Sequence, residues 1–181
     1  MDSLNEEKQF YERFWSLLND KDLMMVFEKY GPMAFRRSSV LEGLEKFIQE
    51  NGFKGKTCIE IGSLKGLTAI VLSRYFDRVI TIDIIDDRLK YEIADLLGVN
   101  NVVFINVRNN DEKTELVKSL TFDAAYVDGD HTHDTQSDFD LVKHCGKVLF
   151  HEFWDAQPSV KELVNSLGNI QHSGKFALWT N

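Results

Sequence analysis

Proline is nearly missing from this chain, at 2 of 181 residues. That excludes proline-rich linkers and collagen-like segments. Cysteine is as scarce, also 2. Cys58 and Cys145 lie far apart in sequence and cannot build a disulfide framework. They read as small buried hydrophobes in a reducing compartment. Basic residues fall short of acidic ones, 21 Lys and Arg against 29 Asp and Glu, for a formal net charge of −8. A chain of that sign lacks the electrostatic footprint of a nucleic-acid binder. It is also a poor match for an anionic membrane surface. No apolar run approaches the roughly 18 residues of a membrane span. The opening Met1–Glu7 is acidic and lacks the apolar region of a secretory signal. These absences set the expectation of a cytoplasmic protein with neither nucleic acid nor membrane as partner.

What is present is ordinary for a globular chain: 43% hydrophobic and 28% charged residues. A length of 181 residues bounds it to one domain, or one domain with a short appendage. Residues 1–52 read as a helical segment, a cover for a ligand or a contact for a second subunit. Ser3-Leu4-Asn5-Glu6 has capping-box spacing, and Phe10, Phe14, Leu17 and Leu18 follow on one helical face. A short helix is expected over Leu23 to Tyr30, stopped by Gly31-Pro32. Ser39-Val40-Leu41-Glu42 is a second capping box, opening a helix that ends near Asn51-Gly52.

Residues 53–181 change rhythm. Apolar runs at Thr57–Ile61, Arg78–Asp83, Val102–Val107, Phe122–Asp128 and Lys147–Phe153 start 20 to 25 residues apart. Helical stretches fit between them, at Leu67–Tyr75, Arg88–Leu97, Glu112–Leu120 and Asp134–His144. Continuous apolar runs suit strands buried on both faces. The pattern predicts an α/β, doubly wound, Rossmann-like domain. A helix over Pro158–Leu167 and two strands around Ser173-Gly174 complete it. The expected sheet has five parallel strands and a C-terminal antiparallel pair, seven in all.

The first strand runs into Glu60-Ile61-Gly62-Ser63-Leu64-Lys65-Gly66. Gly62 permits a tight turn, and Gly66 lets the next helix start close to the strand. Leu64 stands where a dinucleotide fingerprint has its middle glycine, which disfavours a pyrophosphate on this turn. Asp83 ends the second strand about 20 residues later, where an acid binds ribose hydroxyls. The plainer alternative is a shaped βα turn with Asp83 as a helix cap.

In Ile59–Gly66 with Leu67-Thr68, the sequence resembles motif I of class I S-adenosylmethionine-dependent methyltransferases, nearest the small O-methyltransferase branch. Phe122–His131 is similar to that branch's D-x-x-(apolar)-D-G-D-H strand end, and Gly146–Phe153 to its G-G-x-(apolar)-x-F-H-D-Y. The resemblance covers roughly residues 33–181 and implies S-adenosylmethionine as cofactor. It implies that Glu60, Gly62, Ser63 and Gly66 line the methionine part. It places Asp83 on the ribose, Ile84 and Arg108 around the adenine, and Asp128 under the methylsulfonium. The segment Arg36-Arg37-Ser38-Ser39 would cover the cofactor, or else be a solvated loop.

Asp128, Asp130, His131 and His133 follow the fourth strand, and His151 and Glu152 end the fifth. Two readings of this cluster stand side by side. In one, Asp128, Asp130 and Glu152 hold Mg²⁺ or Mn²⁺ beside the acceptor hydroxyl. In the other, His131 or His151 is the general base, with Asp128 beside it. Phe35, Tyr126 and Trp154 are either an aromatic substrate wall or core. His144 and His172 read as structural.

The activity this resemblance implies is methyl transfer to a small-molecule acceptor, with oxygen favoured. No N-P-P-[YF]-like loop follows the fourth strand, which speaks against amino-group methylation of nucleic acid. A cofactor-binding module without methyl transfer, and a nucleotide-dependent oxidoreductase or sugar enzyme, are the alternatives. The short length leaves no insertion for a lid, so an open site or one completed by a homodimer is expected.

Overall fold

A computed structural model describes residues 20–35, 41, 43–129, 135–153 and 157–181, without the side chains of Pro32 and Met33. The helix expected over Phe10–Leu18 lies outside the described residues.

Seven strands form one sheet: β1 Gly55–Ile61, β2 Phe76–Asp83, β3 Val102–Asn106, β4 Ala124–Val127, β5 Lys147–Phe150, β6 Ile170–Ser173 and β7 Phe176–Thr180. Their order is β3-β2-β1-β4-β5-β7-β6. Strands β1 to β5 pair in parallel. β7 pairs antiparallel with both β5 and β6. The predicted arrangement of five parallel strands and an antiparallel pair is the one observed.

The described helices are α1 Lys21–Tyr30, α2 Leu44–Asn51, α3 Leu67–Leu72, α4 Leu89–Leu96, α5 Asn110–Ser119, α6 Thr135–Val142 and α7 Pro158–Ser166. Parallel strands need helical crossovers, and the helices cover both faces of the sheet. Alternation along β1 sorts the two cores. Cys58 faces the layer that holds Val26 of α1, Phe47 and Ile48 of α2, and Ile70 of α3. Ile59 and Ile61 face the layer with Val117 of α5, Phe139 of α6 and Leu163 of α7. The described part of residues 1–52 thus packs on its own sheet. Cys58 is fully buried and burial pushes its thiol up, so it behaves as a small hydrophobe.

Some element ends differ from expectation. The helix opened by the capping box at Ser39 starts instead at Leu44. Gly43 precedes it at φ 81°, a left-handed conformation that cannot continue a helix backwards. Strand β4 ends at Val127 and β5 at Phe150, earlier than the apolar runs. Their last residues leave the sheet to form the site.

α1 is tied down by charge. The Asp20 carboxylate caps it, accepting hydrogen bonds from the backbone N–H of Asp22 and Leu23. It also pairs with Arg74, after α3, at 2.6 Å, and Arg74 reaches Asp22 and Glu45 as well. Burial alone would raise the Asp20 carboxyl, but Arg74 and the capping N–H groups hold it below its ordinary value. Arg74→Ala should therefore speed amide hydrogen exchange in α1 while leaving β1 and β4 protected. Equal acceleration in all three would show that Arg74 does not anchor α1 specifically.

Candidate functional site

The sheet order reverses between β1 and β4. Ligands bind such sheets outside the carboxyl ends of the strands at that point. The polypeptide there is packed too tightly for a side chain. Gly62 has φ 89°, and a Cβ on it would overlap the Asp128 carbonyl and lie 2.9 Å from Gly129 Cα. Gly66, at φ 75°, faces α4: a Cβ would lie 2.9 Å from Lys90 Cβ and 3.0 Å from the Phe104 ring. Both glycines are required by their conformation and their neighbours. Leu64 between them also has positive φ, 41°.

Asp83 holds this turn. Its Oδ2 accepts from the N–H of Ser63 at 2.8 Å and of Leu64 at 2.7 Å. Its Oδ1 accepts from the N–H of Ile85 at 2.7 Å. A carboxylate offers about four acceptor positions, so one remains for a ligand hydroxyl. Just beyond it, Ile84 and Ile85 are 59% and 53% exposed, an apolar step at the end of β2. Arg108 points to solvent and bonds Glu112, through its backbone N–H at 2.7 Å and Nε at 3.1 Å.

Glu60 lies one strand over and is fully buried. Neither carboxylate oxygen has a hydrogen-bond partner among the described residues. Burial pushes its carboxyl well above the usual range; the charges of Asp128 and Asp83 push the same way, and Lys90 opposes them. Thr81 on β2 and Tyr126 on β4 are its in-register neighbours. Both are buried, and neither hydroxyl has a partner among the described residues. Burial pushes the Tyr126 phenol far up, and the Asp128, Glu60 and Glu152 charges add to it. Tyr126 and Phe35 are both buried within one core cluster. Ser63 is buried as well.

At the ends of β4 and β5, Asp128 Oδ1 lies 2.7 Å from His151 Nδ1. The other ring nitrogen of His151 lies 3.4 Å from Glu152 Oε1. The imidazole stacks near Tyr126, with ring centroids 6.4 Å apart. His151 is 1% exposed and the Asp128 side chain 13%. Asp128 is thus the member of the pair that a ligand can reach. Glu152 adopts φ 62°, which turns the chain sharply after His151.

Among the described residues, the expected cation site is not assembled. Among the described residues, no three His, Cys, Asp or Glu side chains are grouped to hold a metal ion. Asp128 and Glu152 sit on opposite nitrogens of His151 instead of facing a common point. The third expected ligand, Asp130, lies outside the described residues. So do His131, His133, Trp154 and the segment Arg36–Ser39. His144 and His172 stand away from the cluster, against Phe122 and Phe153 respectively.

Three buried charges escaped the sequence reading. Lys90 is fully buried, and its Nζ donates to the Ile85 carbonyl at 3.3 Å and Asn106 Oδ1 at 3.1 Å. It clamps the ends of β2 and β3. Lys113 and Asp138 form a buried ion pair at 2.6 Å between α5 and α6. Asp138 Oδ2 also lies 2.9 Å from where a Cβ on Gly129 would be. A signal existed: Lys90 shares helical spacing with Ile93, Ala94 and Leu97, and Asp138 with Thr135 and Val142. In both cases the charge itself argued for solvent.

No protein-family model and no curated protein matches the chain. Solved structures do. The chain is similar to a protein of Staphylococcus aureus assigned as a caffeoyl-CoA O-methyltransferase, at 16% identity and TM-score 0.63, covering 97% of this chain and 99% of that one. It is similar to an rRNA methylase of Streptococcus thermophilus at 14% identity and TM-score 0.59, covering 77% and 95%. It is similar to a mutant of MtNAS in complex with S-adenosylmethionine at 17% identity and TM-score 0.54, covering 95% and 75%. At these identities the likeness is one of architecture: the chain has the Rossmann-like fold found in S-adenosylmethionine-dependent methyltransferases.

Proposed function

We propose that this protein is a methyltransferase that uses S-adenosylmethionine to methylate an oxygen of a small molecule. One observation carries the reading. At the switch point, a glycine turn locked by Asp83 follows a buried carboxylate at Glu60 that has no partner among the described residues, and the Asp128–His151 pair stands at the ends of the next two strands.

The residues fit the cofactor. Glu60, buried and without a partner among the described residues, suits a positive charge in the methionine part. Gly62, Ser63 and Gly66 let that part approach the backbone. Asp83 offers its remaining acceptor position to a ribose hydroxyl, and Ile84 offers an exposed apolar surface to the adenine. Arg108 borders the same edge but is bonded to Glu112. When bound, S-adenosylmethionine supplies a methyl group on a sulfonium, open to in-line attack by a nucleophile. The chain's own task is then positioning and proton removal. Asp128, the accessible member of its pair, is the group we assign to the acceptor hydroxyl's proton. His151 lies behind it and fixes its orientation. No step is assigned to Mg²⁺ or Mn²⁺, because the described donors do not converge. A small acceptor accords with the net charge of −8 better than nucleic acid does. The rRNA methylase among the similar structures shows that the fold by itself does not select the acceptor.

Two substitutions separate these roles. Asp83→Ala should weaken S-adenosylmethionine binding in calorimetry by about 1–3 kcal/mol. It should also expose the Ser63 and Leu64 amides to hydrogen exchange. Unchanged affinity would remove Asp83 from the ribose. Asp128→Asn should lower turnover on a responsive hydroxylated acceptor by roughly 10²–10⁴-fold with cofactor affinity near normal. Full turnover in that variant would move the general base elsewhere.

A further inference from the structure

Glu60 belongs to a polar row in an otherwise apolar layer. Thr81, Glu60 and Tyr126 stand in register on β2, β1 and β4, all buried, each with a polar atom lacking a partner among the described residues. The charges that face Glu60 are mostly of its own sign. Asp83 comes from the end of β2 and Asp128 from the end of β4. Cys58 on its own strand and Tyr126 opposite carry neutral thiol and phenol groups, both pushed up by burial. Among the described residues, Lys90 of α4 is the cation that favours the ionised form. Its ammonium is already engaged by Ile85 and Asn106 and lies 3.7 Å from Asp86.

An ionised carboxylate left bare in such a place carries a large desolvation cost. Two things relieve that cost: a proton on the carboxyl, or a cation beside it. We propose that Glu60 is a neutral carboxylic acid in the ligand-free protein and exchanges its proton for the positively charged methionine part of the cofactor. The inference rests on the cofactor reading above. On binding, the O–H bond of Glu60 breaks, its electron pair stays on the carboxylate, and the proton passes to the buffer. Burial and the neighbouring Asp128 and Asp83 hold the free carboxyl above the ordinary glutamate range, which widens the pH window for this exchange. The sign follows. A cation favours the ionised form, so the bound carboxyl titrates lower than the free one. Between those two values, binding releases a proton and tightens as pH rises, by up to about tenfold per pH unit. Above the free value the release stops.

The test is calorimetry of S-adenosylmethionine binding in phosphate, MES and imidazole buffers at about pH 6, above the ordinary glutamate range. Differences in buffer ionisation heat report the protons released. The intact protein should release about one proton per cofactor bound. Binding with no buffer dependence overturns the exchange and leaves the cofactor reading standing. Failure of S-adenosylmethionine to bind at any pH overturns both. Glu60→Gln, neutral at every pH, should bind without releasing a proton. Release by that variant equal to that of the intact protein assigns the proton to another group and overturns the proposal.

Discussion

The site depends on how closely β1 and β4 approach at their carboxyl ends. The backbone at Asp128 and Gly129 presses on Gly62, leaving no room for a side chain. That contact sets the register in which Glu60 faces Tyr126 and Ile61 faces Val127. It brings Asp128 beside the glycine turn, and β5 brings His151 beside Asp128. Asp83 then completes the turn from the other flank. The chain reversal, the glycine turn and the Asp128–His151 pair all follow from one close approach between two parallel strands.

Carboxylates dominate this end of the sheet, and the protein treats each one differently. Asp83 is satisfied by three backbone N–H groups. Asp128 is satisfied by an imidazole. Glu60 has neither among the described residues. Three acids within a few strands of one another repel, so the least solvated one carries the strain. A cationic ligand relieves it. This gives the net charge of −8 a local meaning: part of it is concentrated where a positively charged cofactor would bind.

The five parallel strands, the C-terminal antiparallel pair and the glycine turn were legible in the sequence, because apolar runs and glycines report directly on buried parallel strands and tight turns, but they do not report the order of the strands in the sheet. Element ends were less so. The capping box at Ser39 looked sufficient to start a helix, yet Gly43 in a left-handed conformation delays it to Leu44. The partners of Asp83 were not legible either. A side chain that accepts from backbone N–H groups 19 and 20 residues earlier leaves no residue-type signature. Nor did the sequence reveal that Asp128 and Glu152 take opposite sides of His151, since that depends on the φ of 62° at Glu152. Buried lysines such as Lys90 were hidden by the expectation that charge faces water.

The central claim is that the switch point between β1 and β4 is the cofactor site. A crystal structure with S-adenosylhomocysteine tests it most directly. The account predicts density running from Glu60 along Gly62–Gly66, with the ribose at Asp83 and the adenine against Ile84. Ligand bound at any other place in the fold, or a crystal saturated with ligand and empty at this site, would contradict it.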